Sequence, residues 1–92
     1  MPKMEIDRNG LKTWCNSKGQ FHRLNGPALE RADGFKCWYI KGNLHREDGP
    51  AVELSDGAKY WFINGEQYSF DKWLDKLQIS DEEKIMLCLK WK

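Results

Sequence analysis

From Met4 to Tyr68 the apolar and aromatic residues come in short runs, each closed by an Asx-Gly pair or another glycine turn. Runs of this kind, rich in β-branched and aromatic residues and broken by tight-turn dipeptides, predict β-hairpins. Asp33-Gly34 and Asp56-Gly57 are the expected tips, both of whose residues should take positive φ. The strands entering them are Pro27 to Arg31 and Pro50 to Leu54, and the strands leaving are Phe35 to Ile40 and Ala58 to Ile63. Met4 to Asp7 and Leu11 to Asn16 form a less regular first hairpin around Asn9-Gly10. Second turns are expected at Lys41-Gly42 and Asn64-Gly65, with a brief returning strand over Leu44 to Arg46.

After Ser69 the spacing changes. Phe70, Trp73, Leu74 and Leu77 fall on one helical face, with Asp71, Lys72, Asp75 and Lys76 opposite, and Ser69 stands where an N-cap is needed. Ser80-Asp81-Glu82-Glu83 has the form of a capping box ahead of Ile85, Met86, Cys88 and Leu89. The expected fold class is therefore mainly β, an antiparallel meander of about six strands closed by two short C-terminal helices. It is expected as one domain over 1–92, with hairpin repeats over 1–68 and the helical cap over 69–92.

The hairpins repeat in sequence as well as in pattern. Asx-Gly-x-Lys-x-Trp occurs at Asn9 to Trp14, Asp33 to Trp38 and Asp56 to Trp61, in steps of 24 and 23 residues. His22-Arg23-Leu24-Asn25-Gly26-Pro27-Ala28 returns 23 residues later as His45-Arg46-Glu47-Asp48-Gly49-Pro50-Ala51. The extra residue of the first unit lies between Trp14 and Gly19, where a turn absorbs it. Stacked units bring Trp14, Trp38 and Trp61 to equivalent places, the expected core ladder, because a lone hairpin cannot bury such a surface and a neighbour supplies the missing half.

These blocks resemble the unit Trp-x-x-Asn-Gly-x-x-His-Arg-x-Asp-Gly-Pro-Ala of short tandem-repeat proteins from tailed phages and bacteria, which look like relatives of the MORN repeat. The likeness covers residues 9 to 69 and is closest from Trp38 to Ala51, with Lys41 in the usual Asn position. It implies a β-hairpin array and a phage origin. It transfers no catalytic residue.

Composition narrows the classes of function. Fifteen Lys and Arg against fourteen Asp and Glu leave a net charge of +1, and residues 1–68 carry ten basic and nine acidic residues against five and five beyond. Phosphate affinity rests on unopposed positive charge, so nucleic acid is the lesser partner expectation. No apolar stretch is long enough to span a membrane, and no signal-peptide core follows the first residues. A cytoplasmic location is expected, that of the host cell if the chain is phage-encoded. Cys15, Cys37 and Cys88, odd in number and irregular in spacing, are expected as small packing residues in a reducing compartment.

No catalysis, metal or cofactor is expected. Cys15 and Cys37 occupy different positions of the unit, and their distances to His22 and His45 match no zinc-ligand spacing. His22, Arg23, His45 and Arg46 recur with the unit, which assigns them a structural task, such as an imidazole satisfying a turn carbonyl or Arg46 pairing with Glu47 or Asp48. Structural demands repeat with the unit, whereas a partner touches one place. By that rule Phe21, Arg31, Tyr39, Phe62 and Trp91 are the candidate contacts of a protein-binding module, since aromatic residues and Arg anchor interfaces. The expected partner is a host enzyme or antiviral defence complex that the chain inhibits or modulates. Self-association through a free first strand over Met4 to Asp7 is the remaining expectation, and would give a homodimer.

Overall fold

A computed structural model describes residues 2–92 and has the expected class: antiparallel β-structure with two C-terminal helices. In chain order the strands are β1 (Lys3–Ile6), β2 (Lys12–Cys15), β3 (Leu29–Glu30), β4 (Lys36–Cys37), β5 (Tyr39–Ile40), β6 (Asn43–Leu44), β7 (Val52–Glu53), β8 (Lys59–Ile63) and β9 (Glu66–Tyr68). Helices α1 (Phe70–Lys76) and α2 (Asp81–Trp91) follow. Seven strands form one sheet in the order β1-β2-β3-β4-β7-β8-β9, and β5 pairs with β6 apart from it.

The run predicted as one strand from Phe35 to Ile40 is divided at Trp38. Its first part joins the large sheet, while its second part pairs with the returning strand, Tyr39 opposite Leu44. Strands β3 and β7, which enter the two hairpins, each carry a bulge, while β8, the counterpart of the divided run, stays whole. Leu29 is registered with Cys37, yet the Ala28 amide also bonds the Cys37 carbonyl, so two residues face one. Val52 and Ala51 face Tyr60 in the same way. A bulge of this kind bends a strand and re-aims its continuation. Ala28 and Ala51 are completely buried at these bends, and Pro50 beside Ala51 is buried too.

The two kinds of turn differ. Lys41 and Asn64 take φ of 50° and 51° with Gly42 and Gly65 also positive, the type I′ geometry of a two-residue hairpin. At the Asx-Gly tips only the glycine is left-handed. Gly34 bonds back to the Arg31 carbonyl, the Arg31 amide bonds Phe35, and the Asp33 carboxylate takes the Phe35 amide, as in a three-residue hairpin loop. The first unit's second turn is built this way as well: Asn16 bonds Gln20, Gly19 returns to Asn16, and the Asn16 side chain takes the Lys18 and Gln20 amides. A three-residue loop in place of a two-residue turn absorbs the extra residue of that unit.

The main core lies at the C-terminal end of the array. Trp61, Trp73 and Leu77 are buried together, with Ile63, Tyr68, Phe70, Leu74, Ile79, Leu87 and Trp91 packed around them. Ser69 and Ser80 cap their helices, accepting the amides of Lys72 and Glu83. Helix α2 meets the core through Leu87 and Trp91, one turn apart, and not through the four apolar positions expected to close the sheet. Ile85, Met86 and Leu89 face outward, 59% to 78% exposed, and Cys88 is half-buried.

Candidate interaction surface

The His-Arg blocks are joints between units. The His22 Nδ1 accepts the Lys41 amide at 2.9 Å, and the His45 Nδ1 accepts the Asn64 amide at 3.0 Å. Each imidazole therefore satisfies the first left-handed residue of the next unit's type I′ turn, an amide and not the carbonyl expected. Accepting at Nδ1 places the ring proton on Nε2, and that nitrogen of His45 lies 2.8 Å from Glu47. The third unit has no successor turn to hold, which accounts for its lack of His-Arg. His45→Ala is expected to cost about 0.5 to 1.5 kcal/mol, the net worth of a hydrogen bond whose freed Asn64 amide is exposed to water. Chemical denaturation checks it; an unchanged midpoint would mean that water serves the Asn64 amide equally well.

Each Arg covers the Trp of its own unit. The Arg23 guanidinium sits 3.8 Å from the Trp14 ring centre, and that of Arg46 lies 3.9 Å from the Trp38 ring centre. Arg23 and Arg46 also donate to the carbonyls of Pro27 and Pro50, at 3.1 and 3.0 Å. The repeated loop sets glycine beneath the guanidinium: a Cβ on Gly26 or Gly49 would lie 2.9 or 2.6 Å from the Arg Cζ and would displace it. The expected ladder of Trp is thus a ladder of Trp-Arg pairs in its first two rungs, where Trp14 and Trp38 remain half-buried. On the third rung α1 supplies Trp73, whose ring centre lies 4.8 Å from that of Trp61.

The two arginines differ in what else they meet. Arg46 is paired with Asp48 at 2.7 Å and Glu53 at 3.1 Å, and its side chain is 11% exposed. Arg23 forms no ion pair among the described residues: Asn25 stands where the second unit has Asp48, and Glu30, the counterpart of Glu53, does not pair with it. Its donors are the less committed of the two.

The five candidate contacts do not form one cluster. Phe21 and Tyr39 touch, with ring centres 5.3 Å apart, and Phe21 bridges to Cys15 as a remnant of the first unit's returning strand. Tyr39 and Phe62 hold the same position in successive units, and their carbonyls accept the amides of Arg23 and Arg46. They follow the repeat and do not depart from it, against expectation. Arg31 lies at a hairpin tip, paired with Asp33 at 2.6 Å and set over Phe35. That hydrogen bond, helped by the Phe35 amide, holds the Asp33 carboxyl below its usual range. Trp91 belongs to the core: its ring meets Trp61 edge-on and its Nε1 donates to the Asp48 carbonyl at 2.9 Å.

A different surface gathers the irregular residues. An open groove of about 760 Å³ runs between the first unit's loop at Arg23 and Leu24, the second unit's Trp38, Ile40 and His45, and Ile79 at the approach to α2. Leu24 on its rim is 79% exposed. It replaces Glu47 of the next unit, so comparing the two His-Arg blocks position by position is enough to single it out. Glu83, in the first turn of α2, lines the groove too, and the same helix carries outward-facing Ile85, Met86 and Leu89.

Burial pushes the Cys37 thiol up to about 11, which keeps it protonated and poorly nucleophilic at neutral pH. Cys15, Cys37 and Cys88 are all free thiols. Among the described residues no three His, Cys, Asp or Glu side chains gather where a metal ion would be held, and no helix is long and apolar enough to cross a membrane. The chain matches none of the known protein families against which it was compared, and neither a curated protein nor a solved structure is similar to it.

Proposed function

We propose that the chain is a non-enzymatic protein-binding module whose partner seats on the groove beside Leu24. The observation that carries this reading is the exposure of a large aliphatic side chain at a repeat position where the other unit has Glu, next to an arginine without an ion pair among the described residues. An aliphatic anchor and an uncommitted guanidinium suit a protein segment bearing an apolar side chain and a carboxylate. The conspicuous His and Arg of the second unit, by contrast, are occupied within the fold. The mixed charge along the chain favours protein over nucleic acid. The resemblance of the repeat to phage and bacterial proteins directs the search to a bacterial host, where the partner would be an enzyme or antiviral complex that the chain inhibits or modulates.

Affinity purification of the tagged chain from host lysate, with and without nuclease, tests the reading. One stoichiometric protein should survive nuclease, and Leu24→Asp should release it while leaving the free energy of unfolding within about 0.5 kcal/mol of the parent, as for other exposed positions. A partner lost with nuclease, or one held equally by the Leu24 variant, would refute it.

A further inference from the structure

The two ends of the large sheet are finished differently. At one end α1 packs against β8 and β9. At the other, β1 is an edge: all four of its residues are exposed, and among the described residues no strand lies outside it. The bonding parity fixes which backbone groups this edge presents. Asp7 donates to Leu11, and the β1–β2 register makes Glu5–Thr13 and Lys3–Cys15 the other bonded pairs. Met4 and Ile6 therefore direct their amides and carbonyls outward, as Pro2 directs its carbonyl. An uncovered row of this kind is a template for another strand.

We infer that a second copy of the chain supplies that strand, β1 pairing antiparallel with β1 about a two-fold axis at Met4. The side chains choose this register. About Met4, Lys3 of each copy stands opposite Glu5 of the other, giving two attractive cross-strand pairs. An axis at Lys3 sets Lys3 against Lys3, one at Glu5 sets Glu5 against Glu5, and one at Ile6 sets Glu5 against Asp7. The Glu5 axis would also bring Lys3 to Asp7, but an oxygen of that carboxylate already accepts the Asn9 and Leu11 amides. The Met4 axis also fits the backbone. The two Met4 residues exchange a pair of bonds, and each Ile6 amide meets the Pro2 carbonyl of the other copy, where proline's missing N–H leaves no donor stranded.

The same pairing covers apolar surface. Met4 and Ile6 lie on the sheet face of Trp14 and Lys12, their cross-strand partners, and are 47% and 58% exposed. In the dimer Met4 packs on Met4, and Ile6 on Pro2. The interface is isologous and closed, so the array becomes one continuous sheet across the axis, and the Leu24 groove is left to its own partner.

Light scattering and sedimentation of the full chain at rising concentration test the inference. The mass should climb from 10.9 kDa toward twice that value. Glu5→Lys and Lys3→Glu should each hold the chain as a monomer, and the double variant Lys3→Glu/Glu5→Lys should dimerise again. Met4→Pro removes an outward amide without breaking a β1–β2 bond, so it should be monomeric with an unchanged circular dichroism spectrum. A parent chain that stays monomeric at every concentration, or a dimer indifferent to Glu5→Lys, overturns the pairing. A charge-swapped double variant that remains monomeric overturns the Met4 axis.

Discussion

Trp73→Ala is expected to lose about 3 to 5 kcal/mol of stability, the range for emptying a buried aromatic site. The side chain is completely buried, and its ring centre lies 4.8 Å from that of Trp61 and 5.8 Å from that of Phe70. Its Nε1 also donates to the Arg46 carbonyl at 2.9 Å, so truncation orphans a backbone acceptor as well as opening a cavity. A domain of this size holds only about 5 to 15 kcal/mol in total, which makes the loss a large share of what keeps it folded. Trp73→Phe keeps most of the ring and gives up the hydrogen bond, so it should cost far less. Urea denaturation followed by circular dichroism measures both without relying on the fluorescence of the replaced residue. A loss below about 1 kcal/mol for the alanine variant would place it among ordinary substitutions and show that α1 does not close the array.

Trp73 carries more of the core than the repeated Trp14 or Trp38 because of what the third unit lacks. Trp14 and Trp38 are each covered by the arginine of their own unit, and Trp61 has no such arginine. Helix α1 meets that need. The hydrophobic spacing from Phe70 to Leu77 made the helix and its apolar face legible in the sequence, and the identical unit positions made the Trp series legible too. What covers each Trp was not legible, since a guanidinium stacked on an indole leaves no periodic trace and reads as one more charged residue.

The strands, the turns and the absorbed residue after Trp14 also follow from local chemistry, because glycine and Asx positions dictate where the chain reverses. The bends at Ala28 and Ala51 did not show in the pattern. A bulge sets one extra residue against the partner strand without a sequence signature of its own, and the break at Trp38 in the run ending at Ile40 has none either. Helix α2 misled for a related reason. Ile85, Met86, Leu87, Cys88 and Leu89 are consecutive, between Lys84 and Lys90, so the helix is apolar on more than one side and its spacing does not say which side packs. The position of Trp91 decides it, by anchoring the last turn to the Asp48 carbonyl.

The rule that a binding site should break the repeat is sound physically, and its application turned on alignment. Tyr39 and Phe62 are one position of the unit in two copies, and their carbonyls serve the His-Arg strands in the same way. Leu24, opposite Glu47 of the next unit, is the irregular residue that the rule selects when the copies are compared position by position.

Arg46→Met is expected to cost about 2 to 4 kcal/mol, less than a fully buried ion pair because Asp48 remains in water. The guanidinium joins Trp38, the Pro50 carbonyl, Glu53 and Asp48, and methionine replaces only the length of its stem. Arg46→Lys retains the charge but not the planar fork, so it should recover less than half of the loss. A double-mutant cycle with Trp38→Leu isolates the stacking, for which a coupling of about 0.5 to 2 kcal/mol is expected. The same substitution at Arg23 should behave differently. That arginine has its own Trp and Pro carbonyl but no ion pair among the described residues, and it borders the Leu24 groove. Arg23→Met should therefore cost less stability than Arg46→Met and more partner affinity, the two effects being separated by denaturation and by pull-down. Equal stability losses at both sites, with binding unaffected at either, would mean that the second arginine of the pair is as structural as the first and that the groove draws no specificity from it.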